Sequence, residues 1–146
     1  MLPPALVEPV ERLAQNLYIC PSAVAQHAAL ACFEAQTLAQ CEQRRGELQR
    51  RRDRALAGLA RVGLPVPVEP DGAFYAWADC SAHAGGSWAL CHELLERAHV
   101  VLTPGRDFGP AHAERFLRLS FAGAAEQLDE AIERLARALD GRRATR

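Results

Sequence analysis

Lysine is absent: all 17 basic residues among the 146 are arginine. A mechanism that needs a lysine amine, Schiff-base formation above all, is therefore excluded within this chain. Isoleucine is scarce, at Ile19 and Ile132 only, whereas alanine occurs 28 times. Coding bias, with arginine replacing lysine and alanine or leucine replacing isoleucine, accounts for much of this pattern. Net charge is nearly missing too, at −1, so no overall field draws the chain to nucleic acid or an anionic membrane. No apolar run nears the roughly 18 residues of a membrane span. The opening MLPPALVEPVERL lacks the apolar core of a secretory signal. The five cysteines are an odd number without a C-x-x-C pair, which fits free thiols in a reducing cytoplasm rather than a disulfide framework.

What is present is ordinary globular material. A hydrophobic fraction of 49% with 24% charged residues argues against disorder, collagen and coiled coil. The length predicts one domain, with enough buried surface to need neither disulfides nor metals.

Proline and glycine divide the chain. Pro3, Pro4 and Pro9 precede a helical stretch through Leu13, Leu17 and Tyr18 that Pro21 stops. Ser22 then reads as the N-cap of one long helix from Ala23 to Arg45. Gly46 is a bend, and Leu48, Ala55, Leu56, Leu59 and Val62 form the stripe of an amphipathic helix closed by Gly63. From Leu64 the period changes. LPVPVEPDGAFYAWAD predicts a short edge strand and a hairpin at Asp71-Gly72 into a strand over 73–78. Ser87 begins a helix with Leu90, Cys91, Leu94, Leu95 and Ala98 on one face. Val100 to Leu102 is a brief strand, Pro104 to Pro110 a loop, and Arg115 to Phe121 an alternating strand. Leu128, Ala131, Ile132, Leu135 and Leu139 mark a last helix. The expected fold class is α/β in the α+β layered sense, with leading helices followed by a small, mostly antiparallel sheet packed against helices.

Several of these segments together resemble a known family. ERLAQNLYICPSAVAQHAALACF resembles the helix-turn-helix that follows the cofactor lysine in class I/II aminotransferases, the pyridoxal-phosphate-dependent enzymes of fold type I. PDGAFYAWAD resembles their P-x-GAFY strand. VVLTPGRDFGPAHAERFLRLSFA resembles their V-x-x-x-PG-x-x-FG loop and the arginine strand, here RLSFA. The matches stand in the family's order and cover nearly the whole chain, but only the C-terminal part of such an enzyme.

The resemblance implies residues 1–62 as linking helices between large and small domains, and residues 63–146 as the C-terminal small domain. It implies that Arg118 grips the carboxylate of an amino-acid or 2-oxo-acid substrate. A planar guanidinium meets a carboxylate through two parallel hydrogen bonds that lysine cannot copy. The alternative is an arginine paired with a surface carboxylate. Pro104, Gly105, Phe108 and Gly109 match the loop near the family's active site, against the alternative of an ordinary surface turn. Phe74 and Tyr75 read as core residues of the small domain. Asn16, Ser22 and Gln26 fall in the interdomain segment, although capping alone explains Ser22.

The departures matter as much. The family's covalent lysine, its aspartate on the pyridine nitrogen, its ring-stacking aromatic and its phosphate-binding turn would all lie upstream of Met1. This chain is therefore expected to hold no catalytic or cofactor-binding residue, to be inactive alone, and to work within a homodimer whose cofactor is pyridoxal 5'-phosphate. Apolar faces around Ala28 to Phe33 would pack on the large domain and, uncovered, drive self-association.

Two further clusters point elsewhere. Cys80, His83, Cys91 and His92 could ligate a metal, but C-x2-H-x7-C-H is not a common structural spacing, so no metal site is expected. Arg44, Arg45, Arg50, Arg51, Arg52 and Arg54 form a basic run with Glu42, Glu47 and Asp53 interleaved and no aromatic for stacking. That favours a solvated, ion-paired helix face over nucleic-acid binding. A non-catalytic module that binds a partner chain or nucleic acid is the alternative to the aminotransferase reading.

Overall fold

The computed structural model describes residues 2–143, with side chains through residue 140. Two compact units divide the chain, Met1–Arg44 and Arg45–Arg146.

In the first unit, helix α1 spans Pro4–Leu17. It starts earlier than the prolines suggest, because Pro4 at the helix start has no N–H to waste, and Pro9 is carried inside at the loss of one hydrogen bond. Helix α2, Ala23–Leu30, is capped as expected: Ser22 Oγ accepts from the Ala25 N–H at 3.2 Å. The long helix expected from Ala23 to Arg45 is broken. A 3-10 turn, Ala31–Phe33, and an extended Glu34 separate α2 from α3, Ala35–Arg61. An alanine-rich surround without glycine or proline offers no local signal for that break. Gly46 does not bend the chain either, since α3 runs through it. No residue of α1 or α2 is buried.

The second unit holds the sheet. Strand β1 is Tyr75–Asp79 and helix α4 is Gly86–Ala98. Strand β2 is Thr103–Pro104, strand β3 is Phe116–Ser120, and helix α5 is Ala125–Arg143. The order is β1-β3-β2, and both pairings are antiparallel. The short edge strand expected from Leu64 does not form, because Pro65, Pro67 and Pro70 cannot donate to a ladder. What remains of it is the Asp79 N–H donating to the Pro65 carbonyl at 2.8 Å. The hairpin at Asp71-Gly72 is accordingly absent, and β1 pairs with β3 across 40 residues of sequence instead. The strand expected at Val100 to Leu102 moves to Thr103–Pro104, where β3 lies opposite.

Alternation sorts the sheet into two faces. Ala76, Ala78, Leu117 and Leu119 are buried on one, against Leu90 and Leu94 of α4 and Ile132, Leu135 and Leu139 of α5. Ala55 and Leu59 of α3 complete that core. Leu95, expected on the buried stripe of α4, is 41% exposed. Gly58 lets α3 approach α5 closely, since a Cβ there would stand 2.8 Å from Ile132 Cγ1. The opposite face of the sheet carries Tyr75, Trp77, Phe116 and Arg118, all half-buried.

Candidate functional site

Arg118 is placed by the strand period. Leu117 and Leu119 must enter the core, so the residue between them faces the other way. Strand β3 is central, which sets Trp77 on one side of Arg118 and Thr103 on the other. The guanidinium lies over the Tyr75 ring at 4.1 Å and the Phe108 ring at 4.7 Å. Such a cation over aromatic faces is attracted by roughly 0.5–2 kcal/mol per ring, more as water is excluded. Trp77 backs the pair, edge-on to Phe108 at 5.1 Å and stacked with Phe116 at 5.9 Å.

This arginine is poorly satisfied. Its Nη2 donates to Thr103 Oγ1 at 3.4 Å, a long bond. Its Nε is buried and has no hydrogen-bond partner. A buried donor left without an acceptor costs about 1–3 kcal/mol. Among the described residues no carboxylate pairs with Arg118, in contrast with Arg106 on Glu114 at 2.6 Å and Arg115 on Asp79 at 2.7 Å. The arrangement is a cation held by aromatic walls with hydrogen-bonding capacity to spare, which suits a planar oxyanion.

Of the loop residues, Phe108 is brought to Arg118, and the others shape its approach. Pro104 and Gly105 are buried, and Gly105–Phe108 forms one 3-10 turn. A Cβ on Gly105 would collide with the carbonyl oxygen of Ala113 and stand 2.7 Å from that of Phe116, so only glycine fits. Gly109 takes φ of 133°, where L side chains are strained. Ser87 Oγ, fully buried, donates to the Ala113 carbonyl at 2.7 Å and accepts from the Gly105 N–H at 3.3 Å.

Sequence reasoning missed Trp77, Thr103 and Ser87, and read Tyr75 as core. Tyr75 instead walls Arg118, while Phe74 is 37% exposed with its ring 4.3 Å from that of Tyr75. The alternation of aromatic residues with alanine in YAWAD was a usable signal that Tyr75 and Trp77 share one face. Thr103 and Ser87 needed the pairing register and the helix-to-loop contact. In the first unit, Asn16 donates to the Arg12 carbonyl at 2.7 Å and Gln26 to that of Pro21 at 2.8 Å. Both side chains therefore serve their own helix ends.

Asp79 lies on the Arg118 face of the sheet but is committed elsewhere. Burial disfavours its charge, yet the Ser81 N–H at 2.8 Å and the Arg115 guanidinium outweigh that, holding the carboxyl down to about 2. Cys80 and Cys91 are buried, and burial pushes their thiols up to about 11 and about 12. His83 Nε2 lies 3.3 Å from the Gly63 carbonyl and His92 packs edge-on to Trp88. Among the described residues no three His, Cys, Asp or Glu side chains are grouped to hold a metal. In the basic run, Arg51 pairs with Glu47, Arg52 with Asp53 and Glu69, and Arg54 with Asp129. No helix among the described residues is long and apolar enough to cross a membrane.

Helices packed on a small antiparallel three-stranded sheet are the fold this chain shares with aminotransferases of fold type I. The family model "Aminotransferase class I and II" matches residues 1–135, and the chain belongs to that family. It is 35% identical to the valine–pyruvate aminotransferase of Mycobacterium tuberculosis over 135 residues, covering 92% of this chain and 35% of that protein. It is 36% identical to the aspartate aminotransferase of Rhizobium meliloti, covering 83% and 31%. Among solved structures, an aminotransferase from Mycobacterium tuberculosis superposes with a TM-score of 0.87 at 35% identity, over 96% of this chain and 36% of that one. The aspartate aminotransferase from Thermus thermophilus with maleate superposes with a TM-score of 0.78 at 35% identity, over 92% and 34%. The chain thus spans about a third of the length of the relatives it matches.

Proposed function

We propose that this chain is the carboxylate-gripping portion of a pyridoxal-phosphate-dependent aminotransferase, which moves an amino group between an amino acid and a 2-oxo acid. The observation that carries the reading is Arg118, whose buried Nε has no partner and whose guanidinium is wedged between Tyr75 and Phe108. A substrate carboxylate would take Nε and Nη2 as a fork, with Thr103 Oγ1 accepting the second hydrogen of Nη2. Pro104, Gly105, Phe108 and Gly109 form the adjoining loop. Residues 63–146 are read as the small domain and residues 1–62 as the helices that link it to a larger one.

With no lysine among its 146 residues, the chain offers no amine for a covalent bond to pyridoxal phosphate. In the whole enzyme the cofactor supplies the carrier for the amino group, and this chain's task is to bind and orient the substrate's carboxylate. The reading also takes the whole enzyme to be a homodimer in the cytoplasm; the five free cysteines support a reducing compartment.

The test is a titration of the chain with maleate, followed at the Arg118 Nε–H by NMR. A charge-assisted fork in a half-open site predicts saturation at about millimolar concentrations. Sodium chloride at matched ionic strength should leave the signal in place, and Arg118→Lys, followed at the indole N–H of the neighbouring Trp77, should weaken binding about tenfold, because an ammonium lacks the fork. An Arg118 resonance that ignores maleate overturns the assignment. Separately, the chain mixed with pyridoxal phosphate, an amino acid and a 2-oxo acid should form no product; robust turnover would show that it is not inactive alone.

A further inference from the structure

One buried polar side chain in the second unit has no part in the reading above. Ser87, in the first turn of α4, is 0% exposed and ties three segments together. Its backbone N–H donates to the Glu114 carbonyl at 2.9 Å, its hydroxyl donates to the Ala113 carbonyl at 2.7 Å, and the same oxygen accepts the Gly105 N–H at 3.3 Å. Residues 113–114, which lead into β3, and Gly105, which opens the turn carrying Phe108, are thus joined through one residue. The surrounding contacts serve the same join. Glu114 bridges from the Arg106 guanidinium at 2.6 Å to the Trp88 N–H at 3.4 Å. Gly86 and Gly105 have no room for a Cβ, against Glu114 and the Ala113 carbonyl respectively.

We propose that Ser87 is a positioning residue for the carboxylate site: its buried hydroxyl holds the Gly105–Phe108 turn so that the Phe108 ring presses Arg118 against Tyr75. Phe108 is 51% exposed, so packing alone holds it loosely, and the turn below it sets where the ring sits. Removing the hydroxyl leaves the Gly105 N–H and the Ala113 carbonyl short of a partner and frees the turn. The guanidinium then loses one wall and is no longer preorganised to receive a carboxylate. This inference rests on Arg118 as the carboxylate ligand, and the experiment separates the two.

Maleate affinity is measured for the whole chain and for Ser87→Ala, Phe108→Ala and the double variant, by the Arg118 Nε–H shift. The ligand-free shift of the Trp77 indole N–H, which feels the Phe108 ring 5.1 Å away, is recorded alongside. Each single substitution should weaken binding about three- to tenfold, as loss of one ordinary interaction would. The double variant should be no weaker than Phe108→Ala, because both act through one ring. Ser87→Ala should also move the Trp77 signal toward its position in Phe108→Ala. Additive losses, or an unchanged Trp77 signal with lowered stability alone, would overturn the positioning role. Should the unsubstituted chain fail to bind maleate, the carboxylate reading falls, and the Trp77 shift still decides whether Ser87 places Phe108. If Ser87→Ala does not fold, Ser87→Cys, close in size and a weaker hydrogen-bonding group, takes its place with the same outcomes.

Discussion

Asp79 illustrates how one carboxylate can tie stability to pH. It accepts from the Ser81 N–H and from two nitrogens of Arg115, and its side chain is 12% exposed. With its folded pKa near 2 against an ordinary value of 3.8, the unfolded chain binds the proton more tightly. The stabilisation is therefore full above about pH 4 and drains away as the pH falls through about 2, amounting to about 2 kcal/mol. Asp79→Asn should lower stability at neutral pH by about that much and flatten the acid limb of a denaturation series. An acid limb identical to that of the unsubstituted chain would remove Asp79 from the account. At the same scale Arg118 stands out by contrast: its guanidinium lies over two rings, and no carboxylate among the described residues pairs with it. The strand alternation in FLRLS was enough to point Arg118 away from the core. Nothing local to it told that Tyr75 and Phe108 would enclose it, because those rings come from 43 residues before and 10 before in the chain.

Among the elements, the turn Gly105–Phe108 makes the clearest case for a residue dictated by its surroundings. Gly105 has an ordinary backbone conformation, yet two carbonyl oxygens occupy the space a Cβ would need. Backbone atoms cannot rotate aside, so Gly105→Ala should cost about 2–3 kcal/mol in urea denaturation and displace Phe108. Gly109→Ala meets nothing within 4 Å, and its cost, about 1–2 kcal/mol, comes from φ alone. Equal stability of Gly105→Ala and the unsubstituted chain would mean that the loop sits elsewhere. Helices α4 and α5 and strand β3 were legible because each repeats its apolar residues with one period. The proline-rich stretch from Leu64 was misread as a strand because β propensity says nothing about the N–H groups a ladder requires. The break after Leu30 was illegible because alanine favours helix everywhere and the turn at Ala31–Phe33 is not encoded by glycine or proline.

At the scale of the whole molecule, the first unit is made of helices with almost nothing buried. Leu13 is 59% exposed, Leu17 74%, Val24 80% and Phe33 77%. Apolar side chains in that number lower their free energy by meeting another surface, at about 25 cal/mol per Å² covered. The chain should therefore self-associate as its concentration rises, and Leu13→Gln with Leu17→Gln should shift sedimentation toward the monomer. A clean monomer for the unsubstituted chain at every concentration would count against this. Taken alone, the amino-acid sequence determined the family, the layered class, the candidate arginine and its loop, because contiguous motifs and local periods carry them. It also determined that no covalent lysine is supplied here. The tertiary structure decided that no carboxylate among the described residues pairs with Arg118, that Tyr75 and Thr103 lie against it, and that Ser87 bonds to Gly105 and Ala113. Those are facts of register and of contacts between distant segments, and no single stretch of chain contains both partners.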